Sequence, residues 1–580
     1  MAVQQNNRQR LSVPQGTGQA VLALQSGLAK KAVLRKGWKF DNLYPLLWRR
    51  EWLEQALDAV LDNSGSETPG VDSMRGSKLR EESARAQFVE DLQKELRQGY
   101  CSSPVLRKYI PKANGGERPI GIPTIKDRVV QMTLKMILEP VFEADFVNNS
   151  NGFRPGRSTL ECVLPMYQYG DRERRYEWVI EGDIKGCFDN IDHGILMKTI
   201  RRRITDKRIL WLIWRFLKAS VVERGVYTKV KKGTPQGGVL SPLLANIYLN
   251  KFDQYWYRNW GKQTVIQRRQ ERKQGKASCV LFRYADDFIL SVKGTREGAN
   301  SIMRSIKDYF GQYLKLELGM EKTRVVHIEK GFQFLGFQIS RERLRHFGCV
   351  RIRSTQRNVA RLVVKLQRML SRYATADDPV MKIEALNRVL RGWANYYRVV
   401  NAQQQFSYGD FIAMQWFFMW YQRKYQCSMQ ECMRAVLRKG ERIIYDRGDS
   451  EVELFRMSSL QSMHTPMQHH VVWKYRHIEN PYLMGSHVTS IDEEEQPFID
   501  AREIHPIAKE YDEIYQINRL KAFERDGWRC VKCSGRVGLV AHHIKSVPKG
   551  KFDPMLVHRV ENLQTLCTDC HNKVPKRHSV

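Results

Sequence analysis

The stretch Cys279-Val-Leu-Phe-Arg-Tyr-Ala-Asp-Asp-Phe-Ile-Leu-Ser-Val292 decides how the rest of this chain is read. Cys279–Phe282 and Phe288–Val292 are short apolar runs rich in aromatic and β-branched residues, and they predict two strands joined through Tyr284–Asp287. Adjacent carboxylates at a hairpin tip repel each other, a cost that a divalent cation removes. Asp is also a common turn former, so for a lone Asp-Asp pair a solvated turn is the simpler reading. A second segment shifts the balance: Trp178-Val-Ile-Glu-Gly-Asp183 also starts apolar and ends in a carboxylate. Asp183, Asp286 and Asp287, drawn from two strand ends, suit two metal ions about 3.5–4 Å apart, the clamp that stabilises attacking and leaving oxygens in nucleotidyl transfer.

Composition narrows the class. At 580 residues the chain exceeds one core, since single cores stop growing at about 250–300 residues. No apolar run approaches the ~20 residues of a membrane helix, and the polar start Met1-Ala-Val-Gln-Gln-Asn-Asn-Arg lacks a signal-peptide core. The formal charge of +34, from 96 basic and 62 acidic residues, points to a polyanion, and nucleic acid fits better than lipid because no amphipathic anchor is present. Cys530, Cys533, Cys567 and Cys570 form two Cys-x-x-Cys pairs. Without a signal peptide these read as a metal site, and the expected compartment is intracellular: bacterial cytoplasm or nucleoid, or an organelle.

Tyr284-Ala-Asp-Asp287 with the upstream Asp183-x4-Phe188 resembles the palm of a reverse transcriptase. The resemblance implies magnesium on Asp183, Asp286 and Asp287, and a Phe188 ring that excludes a 2′-hydroxyl from the incoming deoxynucleoside triphosphate. Leu106–Lys112 and Gly115–Pro123 predict a hairpin; by the same resemblance its Lys112 and Arg118 hold the triphosphate, as a Lys and an Arg over a substrate are suited to do. Asp127–Glu139 follows as an amphipathic helix stopped by Pro140. Asn151-Gly-Phe-Arg-Pro-Gly-Arg157 matches a second fingers block, with Arg154 as the phosphate or template contact. Gly233-Thr-Pro-Gln-Gly-Gly238 matches the nucleotide-pocket loop, with Gln236 reaching nucleotide or template, and a capped helix is expected from Ser241-Pro242. Trp211 and Trp214 read as core, Lys262–Lys276 as an exposed basic loop, and Phe332-Gln-Phe-Leu-Gly-Phe337 as a strand of alternating aromatics. Lys322 is a surface or phosphate-touching cation.

From Arg351 the character changes. Val359, Leu362, Val363, Leu366, Met369 and Leu370 recur at helical spacing. Arg357, Arg361, Lys365, Arg368 and Arg372 form a separate basic stripe, suited to a phosphate backbone. Leu386-Asn-Arg-Val-Leu-Arg-Gly-Trp-Ala-Asn-Tyr-Tyr-Arg398 resembles the thumb, or maturase domain, of group II intron-encoded proteins. Near the end, Ala541-His-His-Ile-Lys545, Glu561-Asn-Leu563 and Cys567-Thr-Asp-Cys-His571 lie among the cysteine pairs and resemble an HNH nuclease. Four thiolates in two pairs fit a closed zinc site, which a module this short needs in order to fold. The resemblance makes His543 the general base, His542 and His571 ligands to a single magnesium, and Asn562 the residue that orients the catalytic loop.

The expected fold is multi-domain α+β: a right-hand polymerase with an antiparallel palm sheet, an α-helical thumb, and a C-terminal zinc-containing ββα-metal module. The expected segments are 1–90, an N-terminal extension that starts polar and mobile; 91–345, fingers and palm; 346–405, the maturase domain; 406–510, a DNA-binding region and linker; and 511–580, the HNH endonuclease. The implied function is RNA-directed DNA synthesis, assistance to intron RNA splicing, and nicking of target DNA. Intron RNA, target DNA and deoxynucleoside triphosphates are the partners, with a homodimer left open and no membrane. A reverse transcriptase serving a defence system and a splicing chaperone without enzymatic activity are the alternatives.

Overall fold

The computed structural model describes residues 17–111, 116–170, 176–344, 347–371, 377–438, 442–446, 448, 451–460, 480–483, 522, 525–527, 529–534, 539–543, 563–567 and 570. The chain divides into two compact units, Met1–Lys262 with Gln270–Gln496, and Gln263–Arg269 with Pro497–Val580.

Among the described residues the first unit begins with a helix, Thr17–Leu34; the chain start expected to be mobile lies outside the described residues. The reason for this helix lies in the Ile125–Glu143 helix, which does not stop at Pro140 but runs through it. Proline has no N–H to give the carbonyl four residues back. That carbonyl, on Met136, accepts instead from Gln25 Nε2 at 2.8 Å, so the N-terminal helix repairs the break.

Strands are numbered along the chain. β1 (Val105–Pro111) and β2 (Glu117–Ile122) form the expected antiparallel hairpin. β3 (Trp178–Gly182) lies in a central sheet, while β4 (Val221–Glu223) and β5 (Val226–Thr228) extend the β1–β2 sheet, with β4 parallel to β1. β6 (Ser278–Tyr284), β7 (Asp287–Lys293) and β8 (Arg324–His327) complete the central antiparallel sheet in the order β6-β7-β3-β8. Both faces are covered. Phe252, from the Ser241–Trp256 helix, packs 5.1 Å from Phe288, and Tyr169 packs 5.4 Å from Phe282 on the opposite face. Ser241 does not cap that helix but donates its hydroxyl to the Pro235 carbonyl at 2.9 Å.

β9 (Phe332–Phe334), β10 (Phe337–Leu344) and β11 (Phe347–Ser354) form a second sheet. Phe332–Phe337 is therefore a hairpin rather than one strand: Leu335 and Gly336 make its turn with φ of 50° and 84°. Three long helices follow, Gln356–Met369, Pro379–Tyr397 and Gln403–Tyr425. Phe417, Phe418, Trp420 and Tyr421 are buried on the last of them. Short strands β12 (Leu437–Arg438), β13 (Arg442–Asp446) and β14 (Glu451–Glu453) close the unit.

Other expectations are overturned. Trp211 and Trp214 are not core: they are 45% and 39% exposed, with Arg215 and Lys218 over their rings. The buried face of the Lys207–Lys218 helix is Ile209, Leu212, Ile213, Phe216 and Leu217. Val265–Lys273 is helical rather than a loop, because Gln, Glu, Arg and Lys are good helix formers even without an apolar face. The expected boundary at 90/91 falls inside the Glu82–Gln98 helix, that at 405/406 inside Gln403–Tyr425, and that at 345/346 between the paired β10 and β11. The second unit contains an antiparallel pair, β15 (Leu539–His543) and β16 (Leu563–Cys567).

Candidate active sites

β6 and β7 meet in a two-residue turn: Tyr284 pairs with Asp287, leaving Ala285 and Asp286 at the tip. Ala285 has φ of 57°, a backbone region that costs a non-glycine residue about 1–3 kcal/mol and persists only where its surroundings enforce it. Arg283 does the enforcing. It is fully buried, and all five of its N–H donors are used. Nε and Nη2 bind Asp253 at 2.7 and 2.5 Å; Nη1 binds Asn246 Oδ1 at 3.1 Å and the Ala285 carbonyl at 2.7 Å; Nη2 also binds Ser150 Oγ at 2.6 Å.

The loop before Arg154 completes the clamp. Asn151 N donates to the Arg283 carbonyl, and Arg283 N donates to the Asn149 carbonyl, both at 2.9 Å. A Cβ on Gly152 would stand 2.2 Å from Ala285 N, so only glycine lets the loop lie against the tip. Arg154 itself corrects an expectation. Its guanidinium is buried against Glu143, at 2.6 Å, and the carbonyls of Val147 and Ser150. The loop's sharp path leaves carbonyls inside that only a buried donor satisfies, so Arg154 braces the loop and does not face phosphate or template.

Asp183 directly follows Gly182, which pairs with Phe288, and so all three carboxylates reach the same end of the central sheet. Gly182 is obligatory, since a Cβ there would lie 2.1 Å from the Phe288 ring. Lys322 Nζ stands 3.3 Å from Asp183 Oδ2, making it a partner of this carboxylate rather than a plain surface cation. Burial first, then the Asp286 and Asp183 charges, push the Asp287 carboxyl up to about 7, against the pull of Lys322 and Arg118. Asp287 keeps access to solvent at the rim although protein surrounds it closely. Asp286 is raised for the same reasons, burial first and then Asp183. Three crowded carboxylates form a hard, anionic oxygen donor set that fits a divalent cation such as magnesium.

The neighbouring residues converge on this end. The Phe188 ring is half-buried and meets Phe153 edge-on at 6.3 Å. Gln236 Nε2 donates to Asp189 Oδ2 at 2.8 Å. The glycine loop ties these to the β1–β2 hairpin: Thr234 N donates to the Phe188 carbonyl at 2.8 Å, and Gly121 N donates to the Gln236 carbonyl at 2.6 Å. Arg118 is exposed on β2, close enough to attract Asp286 and Asp287. Lys112 lies outside the described residues.

Arg357, Arg361, Lys365 and Arg368 are all exposed on the Gln356–Met369 helix, and Leu362 and Leu366 on its other side are buried. Arg372 lies outside the described residues. Two tyrosines lock this helical layer to the rest of the first unit. Asn358 Nδ2 donates to Tyr397 Oη at 2.8 Å and to the Gly336 carbonyl at 3.1 Å, and Tyr396 Oη meets Thr159 Oγ1 at 2.8 Å.

In the second unit the Sγ atoms of Cys530, Cys533 and Cys570 lie within 4.8 Å of one another. Cys567 ends β16, where its backbone pairs with Leu539. Val531 N donates to the Thr565 carbonyl at 2.9 Å, which fastens the first cysteine pair to β16. Soft thiolates at this separation fit zinc. His542 and His543 are the last residues of β15; Asn562 and His571 lie outside the described residues.

Comparison with known proteins finds three family matches along the chain. Residues 110–339 match the family described as reverse transcriptase (RNA-dependent DNA polymerase), 359–438 the group II intron maturase-specific domain, and 530–577 HNH endonuclease. Protein YkfC of Escherichia coli is 39% identical over 57% of this chain and 91% of its own. Group II intron-encoded protein LtrA of Lactococcus lactis is 32% identical over 64% of this chain and 73% of its own. An uncharacterized 91 kDa protein in the cob intron of Schizosaccharomyces pombe is 25% identical over 98% of this chain and 74% of its own. A carboxylate-bearing polymerase sheet joined to a maturase segment and a cysteine-rich nuclease module defines an RNA-directed DNA polymerase that is also a DNA endonuclease. The chain belongs to the group II intron-encoded proteins, multifunctional reverse transcriptase–maturases with an HNH domain. No described helix is long and apolar enough to cross a membrane.

Proposed function

We propose that this protein binds its intron RNA, assists its splicing, nicks one strand of a DNA target, and extends the nick by copying the RNA. The central sheet is the palm, the β1–β2 hairpin the fingers, and the Gln356–Tyr397 helices the thumb. The observation that carries the reading is the meeting of Asp183, Asp286 and Asp287 at one sheet end, over a tip that Arg283 holds rigid. Magnesium held there supplies charge stabilisation at the attacking and leaving oxygens. The chain's own groups do the rest. Phe188 blocks a 2′-hydroxyl by bulk, Arg118 with Lys112 holds the triphosphate, and Gln236 fixes the loop beside it. Arg357, Arg361, Lys365 and Arg368 neutralise RNA phosphates. Asp286→Ala is expected to lower primer extension on an RNA template by about 10²–10³-fold or more, with RNA binding retained in a filter assay. Normal extension by this variant would refute the assignment.

In the second unit Cys530, Cys533, Cys567 and Cys570 would hold zinc, and His542 with His571 a magnesium ion that stabilises the leaving oxygen. His543 takes the proton from the attacking water, and Asn562 orients its loop. Replacing a general base typically costs about 10²–10⁴-fold, so His543→Ala is expected to lose that much strand-specific DNA cleavage while polymerisation continues. Unimpaired cleavage with zinc retained would make the module a binding element rather than a nuclease.

A further inference from the structure

In the loop that lies against the carboxylate tip, Asn151, Gly152 and Arg154 are buried, whereas Phe153 is 40% exposed. Its neighbours are fixed on both sides. Asn151 N donates to the Arg283 carbonyl at 2.9 Å, the Gly152 carbonyl accepts from Asn246 Nδ2 at 2.7 Å, and Arg154 Nη2 stands 2.6 Å from Glu143. Phe153 itself has φ of 58°. That backbone region is uncommon for any residue with a side chain and an outlier for a bulky one. It persists only where the surroundings enforce it, and a ring this exposed offsets little of the cost by its own burial.

What the conformation achieves is a contact. The Phe153 ring meets the Phe188 ring edge-on, with centroids 6.3 Å apart and planes at 83°, an arrangement that aromatic quadrupoles favour. Phe188 is half-buried, and its carbonyl accepts from Thr234 N at 2.8 Å. A backbone bond of that kind leaves the side-chain torsions open. A ring that discriminates by bulk has to stay in one place, which needs a neighbour that locks its rotamer. We propose that Phe153 is a positioning residue for sugar selection: its strained backbone carries its ring to Phe188 and holds Phe188 where it excludes a 2′-hydroxyl. The same support reaches the carboxylates. Asn246, which holds the Gly152 carbonyl, also accepts from Arg283 Nη1 at 3.1 Å, and a Cβ on Gly152 would stand 2.2 Å from Ala285 N. The brace is thereby registered to the tip. This rests on the reading of Phe188 as the blocking ring and adds the residue that fixes it.

The test is single-nucleotide primer extension on an RNA template by the full chain, with a deoxynucleoside triphosphate and with the matching ribonucleoside triphosphate, read as the ratio of the two kcat/KM values. Phe153→Ala and Phe153→Gly are each expected to lower that ratio by about 2- to 10-fold, through faster ribonucleotide addition rather than slower deoxynucleotide addition. Phe153→Tyr, which keeps the ring, should discriminate as wild type. Phe188→Ala should lower the ratio further, and adding Phe153→Ala to it should change nothing more, because the brace then has no ring to hold. Melting temperatures report on the backbone. Glycine is unstrained at a φ of 58° and alanine is not, so Phe153→Gly should melt above Phe153→Ala. If Phe188→Ala leaves the ratio unchanged, the gate reading fails and its brace with it. If Phe188→Ala relaxes the ratio but Phe153→Ala and Phe153→Gly keep it, the gate stands and the brace alone is wrong. Equal losses with both nucleotides would mean that Phe153 supports the tip rather than the gate, and would overturn the proposal. An alanine variant that melts above the glycine variant would overturn it too, because the backbone would not then be held in the strained form.

Discussion

The carboxylate tip of the first unit and the thiolate cluster of the second both crowd anionic groups together, yet they are supported in different ways. At the tip, Arg283 joins Asp253 and Asn246 on one helix, Ser150 on a loop and Ala285 on the turn, and no part of this network is a metal ligand. The scaffold exists before any cation binds. Among the described residues of the second unit, the cysteines lie beside one antiparallel pair of strands, and an isolated pair of strands is marginally stable at best. On the proposed function, a metal held by the cysteines would be part of the fold, and one held at the tip only part of the chemistry.

The largest effect should come from breaking the thiolate cluster. Structural zinc contributes about 10–16 kcal/mol of apparent binding free energy in small domains. Cys530→Ser is therefore expected to release the zinc and unfold the second unit, leaving the melting transition of the first unit in place. Zinc content and limited proteolysis measure this. A second unit that stays protease-resistant without zinc would erase the contrast between the centres.

At the tip the comparable lesion is Arg283→Met. Arg283 and Asp253 are both fully buried, and stranding one partner of a buried pair costs about 3–5 kcal/mol. The first unit should melt earlier and primer extension should fall, because Ala285 loses its clamp. Adding Asp253→Leu should restore much of the stability but not the extension rate, since an apolar pair fills space without holding the Ala285 carbonyl. If the double variant recovers both, the network serves packing only.

The same contrast governs what was readable beforehand. The three carboxylates, the β1–β2 hairpin, the basic stripe and the cysteine pairs are each a local pattern, and the structure puts the carboxylates at one end of the central sheet. The supports depend on residues far apart in sequence, and few of them have a local signature. Arg283 had one: a lone cation inside an otherwise apolar strand demands a buried partner, though nothing marks Asp253 as that partner. Arg154 was misread because a cation in a Gly/Pro loop looks the same from sequence whether it braces carbonyls or meets phosphate. Pro140 was taken as a helix stop because the rescue of the Met136 carbonyl comes from Gln25, more than a hundred residues away. Trp211 and Trp214 misled because hydrophobicity alone does not say which helix face is packed.

The smallest predicted effect is the most direct probe of crowding at the tip. In the folded protein the Asp287 carboxyl is pushed up to about 7, first by burial and then by Asp286 and Asp183, whereas an unfolded aspartate titrates near 3.9. Between about pH 4 and 7 the unfolded chain has released this proton and the native chain still holds it, so the native state binds more protons. Stability of the first unit in chelator therefore falls as pH rises through that window and levels off above it. Asparagine does not titrate, so Asp287→Asn should raise the melting temperature by a degree or two near pH 8, a gain that shrinks toward zero near pH 4. Magnesium should reverse the order at high pH, because only the wild type keeps all three carboxylates for a ligand that binds the native state. A gain independent of pH would mean that the asparagine acts through packing. A gain that magnesium leaves untouched would remove Asp287 from the ligand set, and the tip would then hold its cation with Asp183 and Asp286 alone.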